Sequence, residues 1–156
     1  MSRRDQIQMS EPELQRFVRG ARTVILCSLG KDGLPHPMPM WFGVEDDGAI
    51  VMTTFSKSQK VRNLARDPRV SLLLEDGEEY AKLRGVVMYG RAELSPDRSA
   101  VLDVLERVTT RSGAAPAADP KALRQALEKT ASKRVAIRIR PERIVSWDHA
   151  KLSGVY

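Results

Sequence analysis

The chain has 156 residues, of which 42% are hydrophobic and 29% are charged. That length suits one domain and leaves too little core for two, and the composition excludes a disordered chain. No apolar run approaches the ~18 residues that span a bilayer, so membrane insertion is not expected. Met1 to Asp5 carry charge with no apolar stretch behind them, unlike a secretory signal. Cys27 is the one cysteine, so an internal disulfide is excluded, and no Cys/His cluster has zinc spacing. No metal and a cytoplasmic location are the expectations. The net charge is +6, from 26 cations against 20 anions. A basic surface suits nucleic acid, a membrane or an acidic small molecule. The cations are dispersed, with no run of five, and aromatic residues are only 5%. A nucleic-acid-binding barrel therefore ranks last, because it lacks stacking platforms.

Ser10-Glu11-Pro12-Glu13 reads as a capping box, and Leu14, Phe17 and Val18 give an apolar helical face that ends at Gly20. A helix over 10–19 is expected. Arg22 to Leu29 is β-branched and apolar, hence a strand, and Gly30 to Gly33 is a hairpin turn. Pro35 to Val44 reads as the next strand, with prolines at 35, 37 and 39. Their period of two puts every missing N–H on one edge, which points to an edge strand, and it turns His36, Met38 and Met40 to one face. Glu45 to Gly48 turns the chain into a strand over Ala49 to Thr54. Ser58 is the expected N-cap of a helix over 59–66, with Val61, Leu64 and Ala65 inward, ended by Asp67-Pro68.

A strand over Arg69 to Glu75 follows, then a long one over Tyr80 to Leu94 that Gly85 and Gly90 bend or bulge. Ser95-Pro96-Asp97 opens a helix carrying Val101, Val104, Leu105 and Val108 on one face. Residues 112–118 form a loop, and Asp119-Pro120 opens a helix with Leu123, Ala126 and Leu127 inward. Lys133 to Arg140 alternates, with Val135, Ile137 and Ile139 inward and Arg138 and Arg140 outward. Pro141-Glu142 breaks it before a last strand over Arg143 to Trp147. Many strands joined by short hairpins mean an antiparallel sheet, mostly β with flanking helices. Closing it into a barrel removes most free edges.

Three stretches carry a family pattern. Residues 49–74 read AIVMTTFSKSQKVRNLARDPRVSLLL, which is a strand ending in Thr, then Ser-x-Lys, Asn-Leu and Asp-Pro-Arg-Val. Residues 83–94, LRGVVMYGRAEL, carry a central Gly and an Ala-Glu pair, and residues 146–152, SWDHAKL, close the pattern. Over residues 12–152 the chain resembles the pyridoxamine 5′-phosphate oxidase-like flavin and deazaflavin oxidoreductases. The resemblance implies one antiparallel split β-barrel domain over 1–156, with residues 1–9 and 153–156 as tails. It also implies a homodimer whose cofactor lies in a groove at the interface, with its phosphate against the strand–helix junction. The residues matching that junction are Thr53, Thr54, Ser56, Ser58, Lys60 and Asn63.

The chemistry of the junction agrees. Hydroxyls and backbone N–H groups at a helix N-terminus form an anion site, and Lys57 and Lys60 add full charges. Family members that resemble the true oxidases use FMN and carry an arginine for its phosphate on the first long strand. Here that strand reads Pro37-Met38-Pro39-Met40-Trp41, without arginine. Another branch uses the deazaflavin coenzyme F420, whose oligoglutamate tail suits a basic groove, and Lys57, Lys60, Arg62, Arg66 and Arg69 cluster there. The expected function is therefore an F420-dependent reductase that passes a hydride to a small organic acceptor. The alternatives are an FMN-dependent enzyme of the same fold and a non-enzymatic flavin or haem carrier. Met38, Met40 and Trp41 are candidates for an apolar wall against the ring, or for core. No catalytic acid is assigned, and His36 is weighed as a ring-facing residue against an ordinary strand histidine. Trp147 and Tyr89 are read as stacking residues or packing anchors, His149 and Lys151 as reaching a partner's cofactor or lying exposed, and Cys27 as an inert thiol.

Overall fold

The structure is a computed structural model and describes residues 2–113 and 119–152. Its helices are α1 (Arg3–Gln6), α2 (Glu11–Gly20), α3 (Gln59–Arg66), α4 (Arg98–Ser112) and α5 (Pro120–Ala131). Its strands are β1 (Thr23–Leu29), β2 (Pro35–Trp41), β3 (Gly43–Val44), β4 (Ile50–Phe55), β5 (Arg69–Asp76), β6 (Arg84–Ser95) and β7 (Arg134–Asp148). All pair antiparallel in one sheet of order β2-β1-β5-β6-β7-β4-β3.

That order explains how the sheet curls. β2 lies on one outer edge and β3 on the other, yet only Phe42 separates them in the chain. Two edges joined through one residue must meet, since consecutive Cα atoms are ~3.8 Å apart. The barrel is therefore closed at Phe42 and split beyond it, between the first part of β2 and the last part of β4. The single strand expected over 35–44 is thus two strands serving opposite edges. Phe42, 1% exposed, fills the seam with Leu26, Met52, Leu72, Ile137 and Ile139 in the main core.

β2 is an edge strand as its prolines require. A ladder to β1 needs N–H donors from β2, and within residues 35–40 only His36, Met38 and Met40 have them. The turn agrees, because Gly30 N–H donates to Leu34 O at 2.8 Å, which puts the hydrogen-bonded pairs at even positions of β2. The three proline carbonyls consequently face the split.

Several expectations need correction. Residues 2–9 are not a tail: Ser2 and Asp5 form a capping box on α1, and Met9 is 7% exposed, its N–H donating to Ser146 Oγ at 3.1 Å. Residues 153–156 lie outside the described part, as do 114–118 of the expected loop. The long sixth strand begins at Arg84, because Tyr80–Lys82 forms a 3-10 turn. Pro141-Glu142 does not break β7; it is accommodated as a bulge. Tyr89 pairs with Arg143 and Gly90 with Pro141, which leaves Glu142 as the extra residue. Gly90 is required there, since a Cβ would stand 2.6 Å from Arg140 O. Ala126 is exposed rather than inward.

The two outer halves of the sheet are treated differently. α4 lays Val101, Leu105 and Val108 over β4 and β7, against Val51 and Ala136, so β4 is buried on both faces. α2 and α3 put Leu14, Val18 and Leu64 into the main core. Among the described residues no helix covers the outer face of β2, β1, β5 and β6. There Ile25, Leu73 and Val87 are half-buried while Tyr89 is exposed.

Candidate functional site

β4 ends in Thr53-Thr54-Phe55, and a tight turn over 56–58 leads into α3, with Ser58 N–H donating to Phe55 O at 3.0 Å. The helix then carries Lys60 back over the strand it has left. Lys60 is 8% exposed, and its Nζ donates to Thr54 Oγ1 at 3.1 Å. Thr54 Oγ1 lies 3.4 Å from Ser58 Oγ. Ser58 makes no side-chain cap bond, so its hydroxyl belongs to this cluster rather than to the helix end.

A second cation lies near enough for its charge to act on Lys60. Arg134 opens β7 opposite Phe55. Its Nη1 donates to Thr53 Oγ1 at 3.3 Å, and its guanidinium lies 4.6 Å from the Phe55 ring centroid. Its Nε is buried without a hydrogen-bond partner among the described residues. Neither Lys60 nor Arg134 forms an ion pair with any described carboxylate. Burial, and secondarily Arg134, pulls the Lys60 pKa below its ordinary value, and burial does the same to Arg134. Two partly desolvated cations without a counter-charge are costly unless an anion joins them. Two hydroxyls and an orphaned guanidinium N–H are the donors such an anion needs.

The site residues expected from sequence divide accordingly. Thr54, Ser58 and Lys60 come together, while Thr53, which points to the opposite face of β4, holds Arg134. Ser56 and Lys57 sit in the exposed turn, where Ser56 N–H donates to Lys133 O at 3.0 Å. Asn63 is fully buried and occupied, since its Nδ2 donates to Ser28 Oγ at 3.1 Å and its Oδ1 accepts from Gln59 Nε2 at 2.9 Å. It ties α3 to β1. Met38 and Met40 are half-buried on the inner face of β2, and Met40 also packs on the main core. Trp41 is 60% exposed on the other face. Arg69 is held by Asp67 at 2.6 Å and leaves the basic cluster. Arg134 was missed by the sequence reading. The one available signal was its charge at the head of a strand whose other outward arginines, Arg138 and Arg140, find Glu45 and Asp47.

A cavity of about 500 Å³ lies beside this cluster, between the β1–β2 hairpin and the flank of α3 that carries Gln59, Arg62 and Arg66. His36 lines it, with Nδ1 buried and unpartnered. Trp147 packs on Gly85, where a Cβ would come within 2.3 Å of its ring, so it is a packing anchor. His149 packs tilted against Tyr80, with ring centroids 4.8 Å apart, and Lys151 pairs with Glu13 at 2.5 Å, which places both within this chain's own packing. Cys27 is half-buried on the uncovered outer face. No group of described His, Cys, Asp or Glu residues is placed to hold a metal, and no described helix is long and apolar enough to cross a membrane.

The chain belongs to the pyridoxamine 5′-phosphate oxidase family, whose model matches residues 10–148. Among solved structures, a conserved hypothetical protein of Mycobacterium tuberculosis, Rv2991, is 42% identical, with a TM-score of 0.87, covering 100% of this chain and 95% of that one. An F420 reductase is 23% identical with a TM-score of 0.63, covering 87% of this chain and 98% of that one. The haem storage protein HutZ of Vibrio cholerae is 19% identical with a TM-score of 0.67, covering 87% and 94%. The last two likenesses show the fold alone. No curated protein matches the sequence.

Proposed function

We propose that the protein is an oxidoreductase that binds a flavin-type cofactor by its phosphate at Lys60 and Arg134, and that this cofactor is the deazaflavin F420. The observation that carries this reading is the pair of partly desolvated cations with no described counter-charge, bracketed by Thr54 and Ser58 at the start of α3. A phosphate would take hydrogen bonds from Ser58 Oγ and the free Arg134 Nε and relieve the repulsion between the two cations. Thr53 holds Arg134, and Thr54 holds Lys60, so both cations are aimed before the ligand arrives.

When bound, the cofactor supplies hydride transfer to an organic acceptor. The chain supplies placement. Met38 and Met40 offer an apolar face along β2 for the ring, and the split in the barrel keeps one side of that face open. F420 rather than FMN is favoured by the arginine-free β2 and by the cations Arg62 and Arg66 on the adjoining face of α3. The assembly we propose is a homodimer. The outer face of β2, β1, β5 and β6 has no described helix over it, and Ile25, Leu73 and Val87 there are apolar residues left half-buried.

A titration of the purified protein with F420 and with FMN, followed by tryptophan fluorescence, tests the reading. Micromolar binding of F420 with weaker binding of FMN is expected. Faster oxidation of the reduced coenzyme with an enone or quinone acceptor than without one separates an enzyme from a carrier. If neither cofactor binds, the proposal falls.

A further inference from the structure

We infer that the cavity where α2, β2 and α4 meet is a binding site for a small aromatic carboxylate, with Arg19, Arg22 and Arg111 for the acid and Trp41 for the ring. The site does not rest on the cofactor reading, because Trp41 stands on the face of β2 opposite Met38 and Met40. The cavity holds about 160 Å³ between the end of α2, Trp41 and Phe42 at the end of β2, and the last turns of α4. An apolar cavity of about 150 Å³ accommodates benzene, so the volume suits a single six-membered ring.

Three arginines line the cavity and no carboxylate does, and none of the three forms an ion pair among the described residues. Two of them cap helix ends. Arg111 Nη2 donates to Val18 O at 2.9 Å and to Ala21 O at 2.5 Å, and Arg22 Nη2 donates to Ser112 O at 3.3 Å. Capping occupies one nitrogen of each and none of Arg19, whose side chain has no hydrogen-bond partner among the described residues. The two helix C-termini bring about −0.5 charge each against three full positive charges, which leaves an excess of about two. Burial, and secondarily the charge of Arg19, holds the Arg111 pKa below its ordinary value. An anion in the cavity would offset both costs.

Trp41 is the second observation. It is 60% exposed, and its Nε1 has no hydrogen-bond partner among the described residues. The Arg111 guanidinium beside it lies 4.2 Å from the Phe42 ring centroid and is held by two carbonyls, so it is fixed before a ligand arrives. A bare carboxylate would use the arginines and leave the indole idle. A neutral ring would use the indole and leave the cations uncompensated. A ring that bears a carboxylate uses both.

The chain has two tryptophans, so its indole N–H groups give two NMR signals, and Trp41→Leu assigns them. The protein without added cofactor is titrated with benzoate, benzamide and acetate while the Trp41 signal is followed. A saturable shift with benzoate is expected, with affinities about tenfold weaker for benzamide and for acetate. Arg19→Gln and Arg22→Gln should each weaken benzoate about fivefold and leave benzamide unchanged, since only a charge-assisted contact is removed. Thermal melting confirms that each variant is folded, and Arg19, which caps nothing, keeps the test open if Arg22→Gln is not. No shift of the Trp41 signal by benzoate overturns the site. Benzamide or acetate binding as tightly as benzoate overturns the aromatic acid as its ligand, and so does a benzoate affinity that neither arginine variant changes.

Discussion

Replacing Lys60 by methionine keeps the stem and removes the charge. In the free protein Lys60 is 8% exposed, feels the charge of Arg134 and forms no ion pair among the described residues. Among the described residues its Nζ has the Thr54 hydroxyl, at 3.1 Å, as its hydrogen-bond partner. The substitution relieves desolvation and the repulsion from Arg134, and loses one hydrogen bond worth about 1 kcal/mol. The two effects oppose each other, so the melting temperature of the free protein should stay within a few degrees or rise. The cofactor should respond in the opposite direction. A charge-assisted contact to phosphate is worth about 1.5–3 kcal/mol, which corresponds to roughly 10- to 150-fold weaker binding. Fluorescence titration at fixed, low salt reads the affinity, and calorimetric melting of the free protein reads the stability. Binding weakened at least about tenfold, with a melting temperature that stays within a few degrees or rises, is the expected pair of results. Unchanged affinity, or a large loss of stability with affinity intact, refutes the idea that Lys60 is held in reserve for an anion.

Arg134→Gln should weaken binding by a comparable factor. Combined with Lys60→Met it should cost less than the sum, because both cations act on one phosphate; a cycle of dissociation constants measures the shortfall. Lys57→Ala should change affinity less than twofold at physiological salt, since that side chain is exposed and screened. Val87→Glu, on the uncovered outer face, should convert the proposed dimer to a monomer by sedimentation while leaving the circular dichroism intact. Acid stability should follow Glu13, whose carboxyl is held down to about 2 by Lys151 and Ser10 against an ordinary 4.5. A depressed carboxylate stabilises the fold above its unfolded pKa and loses that contribution as pH falls from 4.5 toward 2. Lys151→Met should therefore lower stability at neutral pH and flatten its loss over that window, as read by denaturant melts. Gly90→Ala should destabilise by about 1–3 kcal/mol, because its Cβ would meet a backbone oxygen that cannot move aside.

The fold was largely legible because its signals are local. The period-two prolines 35, 37 and 39 announced an edge, and Gly90 announced a bulge. The reading failed where the decision was not local. Nothing between Pro35 and Val44 says that Phe42 ends one edge and begins the other, since that depends on how far the whole sheet curls. Pro141 looked like a terminator because proline lacks a donor, but a bulge opposite Gly90 needs none at that position. At the site, Thr53, Thr54, Ser58 and Lys60 were visible as hydroxyls and a cation around one helix start. Arg134 was not, because it is 74 residues from Lys60 in sequence and reaches the cluster only through the β4–β7 pairing. Asn63 was named for the ligand, but the structure spends its amide on Ser28 and Gln59.

The prolines of β2 have a consequence for the gap itself. Two facing strand edges in a small barrel zip together whenever each can offer the other an N–H. Across residues 35–39 the outward edge of β2 offers carbonyls alone, so the barrel cannot heal along that seam whatever thermal motion brings β4 near. An opening that must admit a ring as large as a flavin thus does not have to be propped by the ligand, and the same one-sided edge gives a stray strand from another molecule no reciprocal ladder to join.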